Sequence, residues 1–135
     1  ALKRGAESCV FVESIRPRAD DIRKEVEKYY PVVAPDKGRE TACGGGVILS
    51  LEVRRAVSWL VKREMKFDII FADPPYNFGW CREILKIPGL EKLFADECVF
   101  ILEHSSREKF EINNEIFELI SRRDYGETCL SFIKS

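Results

Sequence analysis

Asp73-Pro74-Pro75-Tyr76 sets a carboxylate, the carbonyls of a rigid turn and an aromatic ring side by side. Neither proline has an N–H for a sheet ladder, and each ring locks its own φ. Asp73 is held out of the helical region because a proline follows it. These parts suit the activation of an exocyclic amine on a nucleobase. Such an amine is a poor nucleophile, since its lone pair is delocalised into the ring. The Asp73 carboxylate and the Pro74 carbonyl would accept both amine hydrogens and localise that lone pair towards an electrophile. Tyr76 would stack on the base, an interaction worth on the order of 1–3 kcal/mol. Taken alone, the same residues also describe a plain Pro-Pro turn with a surface tyrosine.

The segment before this turn must position it. Phe67 to Ala72 is almost wholly apolar, which predicts a strand buried on both faces, as in a parallel sheet. The turn then stands at the C-terminal end of a buried strand, where ligands bind in open α/β sheets. Other segments follow the same plan. Ser8 to Val12 reads as a short strand ending at Glu13. Pro17 suits a first helical turn, and Ala19, Ile22, Val26, Tyr29 and Tyr30 continue at helical spacing. Val47 to Leu51 reads as a strand, followed by Glu52 and a helix from Val53 to Arg63.

Ala1 to Arg4 reads as the last turn of a helix, with Gly5 as its terminator. Pro31 to Gly46 reads as an irregular loop. Its glycine triplet precedes a strand and does not open a helix, so it lacks the context of a phosphate cradle. Cys81 to Leu93 reads as short helical turns broken at Pro88-Gly89, and Glu97 to Glu103 as a further buried strand. Ile116 to Arg122 and Thr128 to Ile133 read as a hairpin turned by Asp124-Tyr125-Gly126. Alternation of this kind implies a parallel α/β sheet.

At 135 residues, 45% of them hydrophobic and 33% charged, residues 1–135 are expected to form one domain with a real core. No apolar run approaches the roughly 18 residues of a membrane span, and Lys3, Arg4 and Glu7 do not belong to a signal peptide. A net charge of −1 supplies no global attraction to nucleic acid, so such a partner would need a local patch. The five cysteines, Cys9, Cys43, Cys81, Cys98 and Cys129, include no CxxC pair. They read as reduced, mostly buried thiols of a cytoplasmic protein, with no metal site. His104 has no plausible partner nucleophile and reads as structural or surface-lying, not catalytic.

DPPY at a strand end resembles the motif of S-adenosylmethionine-dependent amino-methyltransferases that act on nucleic-acid bases or glutamine side chains. Three more segments resemble one branch, the bacterial small-subunit ribosomal RNA guanine-N2 methyltransferases. ALKRGAESCVFVE resembles its helix end, second strand and acidic residue. LEVRRAVSWL resembles its next acidic residue and helix, and ECVFILEHS its fifth strand. The resemblance covers Ala1 to about Ser105, and the hairpin more loosely.

The resemblance implies a Rossmann-like class I methyltransferase sheet, mostly parallel with a C-terminal antiparallel hairpin. It implies methyl transfer from S-adenosylmethionine to a guanine N2 in ribosomal RNA or the small ribosomal subunit, in the cytoplasm and without a membrane. Asp73, Pro74, Pro75 and Tyr76 would handle the amine and its base. Glu13, with Ser14 beside it, would hold the cofactor ribose, Glu52 would lie near the adenine, and Asp73 would border the cofactor. Phe78 and Trp80 would cover the target base or the cofactor, or equally pack the turn. The family's first strand and its glycine-rich loop, of the type D-x-F-x-G-x-G, would precede Ala1 and are not in these residues. The expected domain is therefore N-terminally incomplete. Rival expectations are a DNA adenine-N6 or cytosine-N4 methyltransferase, and a non-catalytic fragment used only for binding.

Overall fold

The computed structural model describes residues 1–35, 45–75, 79–108, 110–112 and 115–135. The chain folds as two compact units, Ala1–Trp59 and Leu60–Ser135.

The first unit opens with a 3-10 turn, Leu2–Arg4, stopped by Gly5 at φ 91°. Strand β1 (Cys9–Val12) follows, then helix α1 (Arg16–Glu27), with Pro17 in its first turn. Pro17 costs nothing there, because the first-turn N–H groups have no intrahelical partner. Strands β2 (Val32–Val33) and β3 (Gly46–Leu49) complete a parallel sheet in the order β1-β3-β2. Helix α2 (Val53–Val61) begins in this unit and ends in the second.

The central strand β3 is buried along its whole length. Ala19 and Val26 are the buried residues of α1. A Cβ on Gly46 would lie 2.8 Å from Val26 Cγ1, and one on Gly45 would lie 2.5 Å from the Pro31 carbonyl oxygen. These glycines therefore permit close packing of α1 and the segment before β2. That is the role of a glycine inside a strand. Gly44 lies outside the described residues. The expected loop Pro31 to Gly46 is corrected at β2, whose Val32 and Val33 pair with Gly46 and Val47.

The second unit holds β4 (Phe67–Ala72), α3 (Trp80–Ile84), a 3-10 turn (Leu90–Leu93), β5 (Phe94–Ser105), β6 (Glu118–Tyr125) and β7 (Thr128–Lys134). Its sheet order is β4-β5-β7-β6. The β4 and β5 pair is parallel, whereas β5/β7 and β7/β6 are antiparallel. The break expected at Pro88-Gly89 is present: α3 already ends at Ile84, and Gly89, at φ 84°, is the N-cap of the 3-10 turn that follows. Gly126, at φ 66°, turns the hairpin between β6 and β7.

Cys98, Phe100, Leu102 and His104 alternate along one face of β5 and are all buried. Phe94 meets the Phe100 ring edge-on, centroids 6.2 Å apart, and the Phe117 ring at 5.5 Å. This aromatic group fastens the start of β5 to the chain entering β6.

Among the described residues the strands pair as a parallel sheet in the first unit and a mixed sheet in the second, with β6 and β7 as the expected antiparallel hairpin. One expectation changes: strand β4 is not buried on both faces. Ile70 and Ala72 are half-buried, but Ile69 is 67% and Phe71 58% exposed. An apolar run reports two faces that favour burial, and each face still needs a layer to cover it. The described residues cover one.

Among the described cysteines, Cys81, Cys98 and Cys129 are buried and Cys9 is half-buried, all as free thiols. Burial pushes the Cys81 thiol up to about 12, with the neighbouring Glu108 carboxylate adding to the effect. Cys43 lies outside the described residues. No helix among the described residues is long and apolar enough to cross a membrane.

Candidate active site

In each unit, the C-terminal ends of two neighbouring parallel strands lead into acidic residues. In the first unit β1 pairs with β3 in register, Val12 beside Leu49, and the Glu13 N–H donates to the Leu49 carbonyl at 3.1 Å. Glu13 is half-buried, and its Oε1 accepts the Ile15 N–H at 2.8 Å. That bond holds the carboxylate at the turn between β1 and α1. Ser14 is exposed in the same turn. One carboxylate has room for further donors beside a single backbone N–H, so Glu13 fits a ligand that offers hydroxyl groups.

Glu52 does something more local. Its Oε2 accepts the N–H groups of Arg54 at 3.0 Å and Arg55 at 3.3 Å. It therefore caps α2, satisfying first-turn donors that have no helical partner and placing negative charge at the helix N-terminus.

In the second unit Asp73 directly follows β4. The parallel register runs to Phe71 beside Ile101 and Ala72 beside Leu102, and Asp73 follows the end of β4. Side chains alternate along a strand, so Glu103, inside β5, shares the face of Val99 and Ile101. Partial burial raises the Asp73 carboxyl above its ordinary value, and the Glu103 charge raises it further. Pro74 is half-buried and Pro75 exposed. Tyr76 and Phe78 lie outside the described residues, while Trp80 opens α3 and is half-buried.

Glu103 is the residue that sequence reasoning treated only as a strand end. The signal was available: it is an acid at the C-terminal end of an apolar strand, as are Glu13 and Asp73. Its neighbour His104 points to the opposite face and is 2% exposed. His104 Nδ1 donates to the Ser105 carbonyl at 2.9 Å, because a carbonyl can only accept. Nε2 then accepts the hydroxyl hydrogen of Ser131 at 2.8 Å. The ring also meets Phe110 edge-on at 5.0 Å. Both ring nitrogens are thus engaged in holding the fold, the structural role expected.

A cleft of about 850 Å³ lies elsewhere in the second unit, bordered by Phe110, Phe117, Leu119, Arg122 and Lys134. None of the strand-end acids lines it. Its lining also carries the carboxylates Glu111, Glu115 and Glu118. Among the described residues, no three His, Cys, Asp or Glu side chains converge as a metal site.

The same fold occurs in solved proteins. A putative methylase from Haemophilus influenzae matches 98% of this chain and 74% of its own length, with TM-score 0.70 and 14% identity. The putative methyltransferase yhhF from Escherichia coli matches 98% of this chain and 64% of its own, with TM-score 0.66 and 19% identity. A putative methyltransferase complexed with SAH matches 99% of this chain and 47% of its own, with TM-score 0.51 and 10% identity. At such identities the likeness is one of fold, and it sets this chain among α/β proteins built on that plan. The chain belongs to the family described as conserved hypothetical protein 95, whose model matches residues 1–134. No curated protein matches it.

Proposed function

We propose that this chain forms part of an S-adenosylmethionine-dependent methyltransferase acting on the N2 amine of a guanine in small-subunit ribosomal RNA. The observation that carries this reading is Asp73-Pro74-Pro75 at the C-terminal end of a strand that has a parallel neighbour. Fold neighbours described as methyltransferases support it, one of them holding SAH, the product left after a methyl group is given up.

S-adenosylmethionine, when bound, supplies the methyl group from its sulfonium. The protein's contribution is mainly positioning. Asp73 and the Pro74 carbonyl accept the hydrogens of the amine, and Pro75 keeps the turn rigid. Tyr76 stacks on a base that has been turned out of its own stack. Asp73 would take the surplus proton of the amine once the nitrogen is methylated. A carboxyl with raised proton affinity suits that task. Glu13 holds the ribose hydroxyls with Ser14 alongside. Glu52 stands near the adenine while capping α2. The assay uses the protein as its gene encodes it.

The test is transfer of labelled methyl groups to ribosomal RNA or small-subunit particles, followed by nucleoside analysis. N2-methylguanosine is the expected product. N6-methyladenine or N4-methylcytosine in DNA would replace the substrate, and no transfer to any nucleic acid would overturn the reading. Asp73→Ala should lower turnover with cofactor affinity little changed. Tyr76→Phe should be tolerated and Tyr76→Ala should not, because a ring is needed and a hydroxyl is not.

A further inference from the structure

We propose that the tip of the β6/β7 hairpin is an RNA contact: the Tyr125 ring stacks on an unpaired base near the target guanine, and Arg107 and Arg123 hold the adjoining phosphates. The inference deepens the methylation reading, on which it rests for the place of the target base.

Strand pairing carries the tip to the sheet end that bears Asp73. Ala72 pairs with Leu102 at the end of β4. Beyond that pair β5 runs on to Ser105, with Ser105 beside Thr128 and Thr128 beside Tyr125. The Ser106 N–H also donates to the Glu127 carbonyl at 2.9 Å, which fixes the tip against the end of β5. From Leu102 to Ser105, at about 3.3 Å per residue, this row rises about 10 Å beyond the end of β4. Across the sheet, β5 and β7 lie between β4 and β6, with neighbouring strands about 4.8 Å apart. The tip is thus a wall a few nucleotides from Asp73, within reach of one bound strand of RNA.

The wall carries what a single strand needs. Alternate residues of a strand share a face, so Tyr125 and Arg123 lie on one face of β6. Tyr125 is 59% exposed. Arg123 is exposed, with its guanidinium over the Phe132 ring at 5.2 Å. On the same face Glu103 stands two strands from Arg123, with Leu130 between them. Asp124 faces the other way and meets the buried Cys129 thiol. Arg107 pairs with Glu127 of the tip at 3.1 Å, the two side chains 84% and 88% exposed. An ion pair that open to water contributes little, so Arg107 exchanges Glu127 for a phosphate readily. A single exposed tyrosine is ordinary on a protein surface. An exposed ring accompanied by two guanidinium groups is the combination that binds single strands, because every base has a face to stack and the backbone supplies the anions. With a net charge of −1, contact with RNA requires a local patch of this kind.

The test uses the protein as its gene encodes it and a transcript of small-subunit ribosomal RNA. Equilibrium binding is read without S-adenosylmethionine, and methyl transfer is read separately. Tyr125→Ala should weaken RNA binding at least about fivefold, whereas Tyr125→Phe keeps the ring and should bind as the native protein does. Arg107→Gln and Arg123→Gln should each flatten the slope of log affinity against log salt by about 0.7. The Tyr125 variants should leave the KM for S-adenosylmethionine and the melting temperature unchanged. Undiminished RNA binding by Tyr125→Ala, or an equal loss in Tyr125→Phe, overturns the inference and leaves the methylation reading intact. So does weaker binding to intact small-subunit particles with naked RNA bound as before, which would give the tip a protein partner. RNA bound through Tyr125 with no methyl group transferred to it overturns the methylation reading and leaves only the RNA contact.

Discussion

His104 Nε2 receives the hydroxyl hydrogen of Ser131 across the β5/β7 pair at 2.8 Å, with both residues buried. Replacing Ser131 by alanine leaves that nitrogen as a buried acceptor without its partner. The expected loss is about 1–3 kcal/mol of unfolding free energy. Denaturant unfolding of Ser131→Ala measures it, and methyl transfer at the strand ends should be little affected. A stability equal to the native value would mean that water replaces the hydroxyl.

Gly46 offers a test of the first unit. The Cβ of Gly46→Ala would stand 2.8 Å from Val26 Cγ1, against the buried side of α1. Overpacking of this kind costs about 1–3 kcal/mol. Gly46→Ala should therefore lower the melting temperature, and Val26→Ala in the same chain should relieve part of the clash. Two destabilisations that simply add would show that the helix shifts away without resistance.

Glu13 and Glu52 make a contrasting pair. Glu52→Ala should lose a helix cap, about 0.5–2 kcal/mol of stability. Glu52→Gln keeps an oxygen to accept from Arg54 and Arg55 and should lose less. Glu13→Ala should instead weaken S-adenosylmethionine binding by about 1.5–3 kcal/mol, the value of hydrogen bonds to a charged group. Calorimetric titration of the two alanine variants, with parallel melting curves, separates the roles. Unchanged cofactor affinity in Glu13→Ala would reduce that residue to a turn former.

The Asp73 carboxyl lies above its usual range through burial and the Glu103 charge. The ionised form is the one that accepts amine hydrogens, so methyl transfer should fall as pH drops through this raised pKa. The acid limb of kcat should therefore begin at a higher pH than for an ordinary aspartate. In Glu103→Gln it should move to lower pH. For stability the sign is opposite to that of a salt-bridged acid. A raised folded pKa means that the native state binds more protons, so the contribution of Asp73 declines as pH rises between the unfolded and folded values. An acid limb identical in native protein and variant would show that Asp73 does not govern it.

Much of this chain could be read locally. Gly5 reads as a helix stop and Pro88-Gly89 as a break between helical turns, and the two glycines sit at φ 91° and 84° in the structure. The alternation of apolar runs with amphipathic segments predicted β1, α1, β3, α2, β4 and β5, because these periods are set by nearest neighbours. Other features carry no local signal. Strand β2 is only Val32–Val33, too short for any period, and it exists because β3 offers an edge. Strand β5 extends from Phe94 to Ser105, beyond the expected Glu97 to Glu103, because pairing with β4 and β7 continues past its purely apolar stretch.

By itself the sequence determined that β4 ends before Asp73-Pro74-Pro75: prolines offer a sheet ladder no N–H, and an aspartate before them is kept out of the helical region. It also determined that Glu13 and Glu52 would follow strands. Tertiary structure decided what lies beside each. Glu52 turned to the N–H groups of Arg54 and Arg55. His104 met Ser131 from 27 residues away. Glu103, 30 residues further on, came near enough to Asp73 for its charge to raise that carboxyl. An apolar run specifies that a strand will pair, but register is set by which side chains pack together across the sheet, and that choice is made between segments distant in the chain.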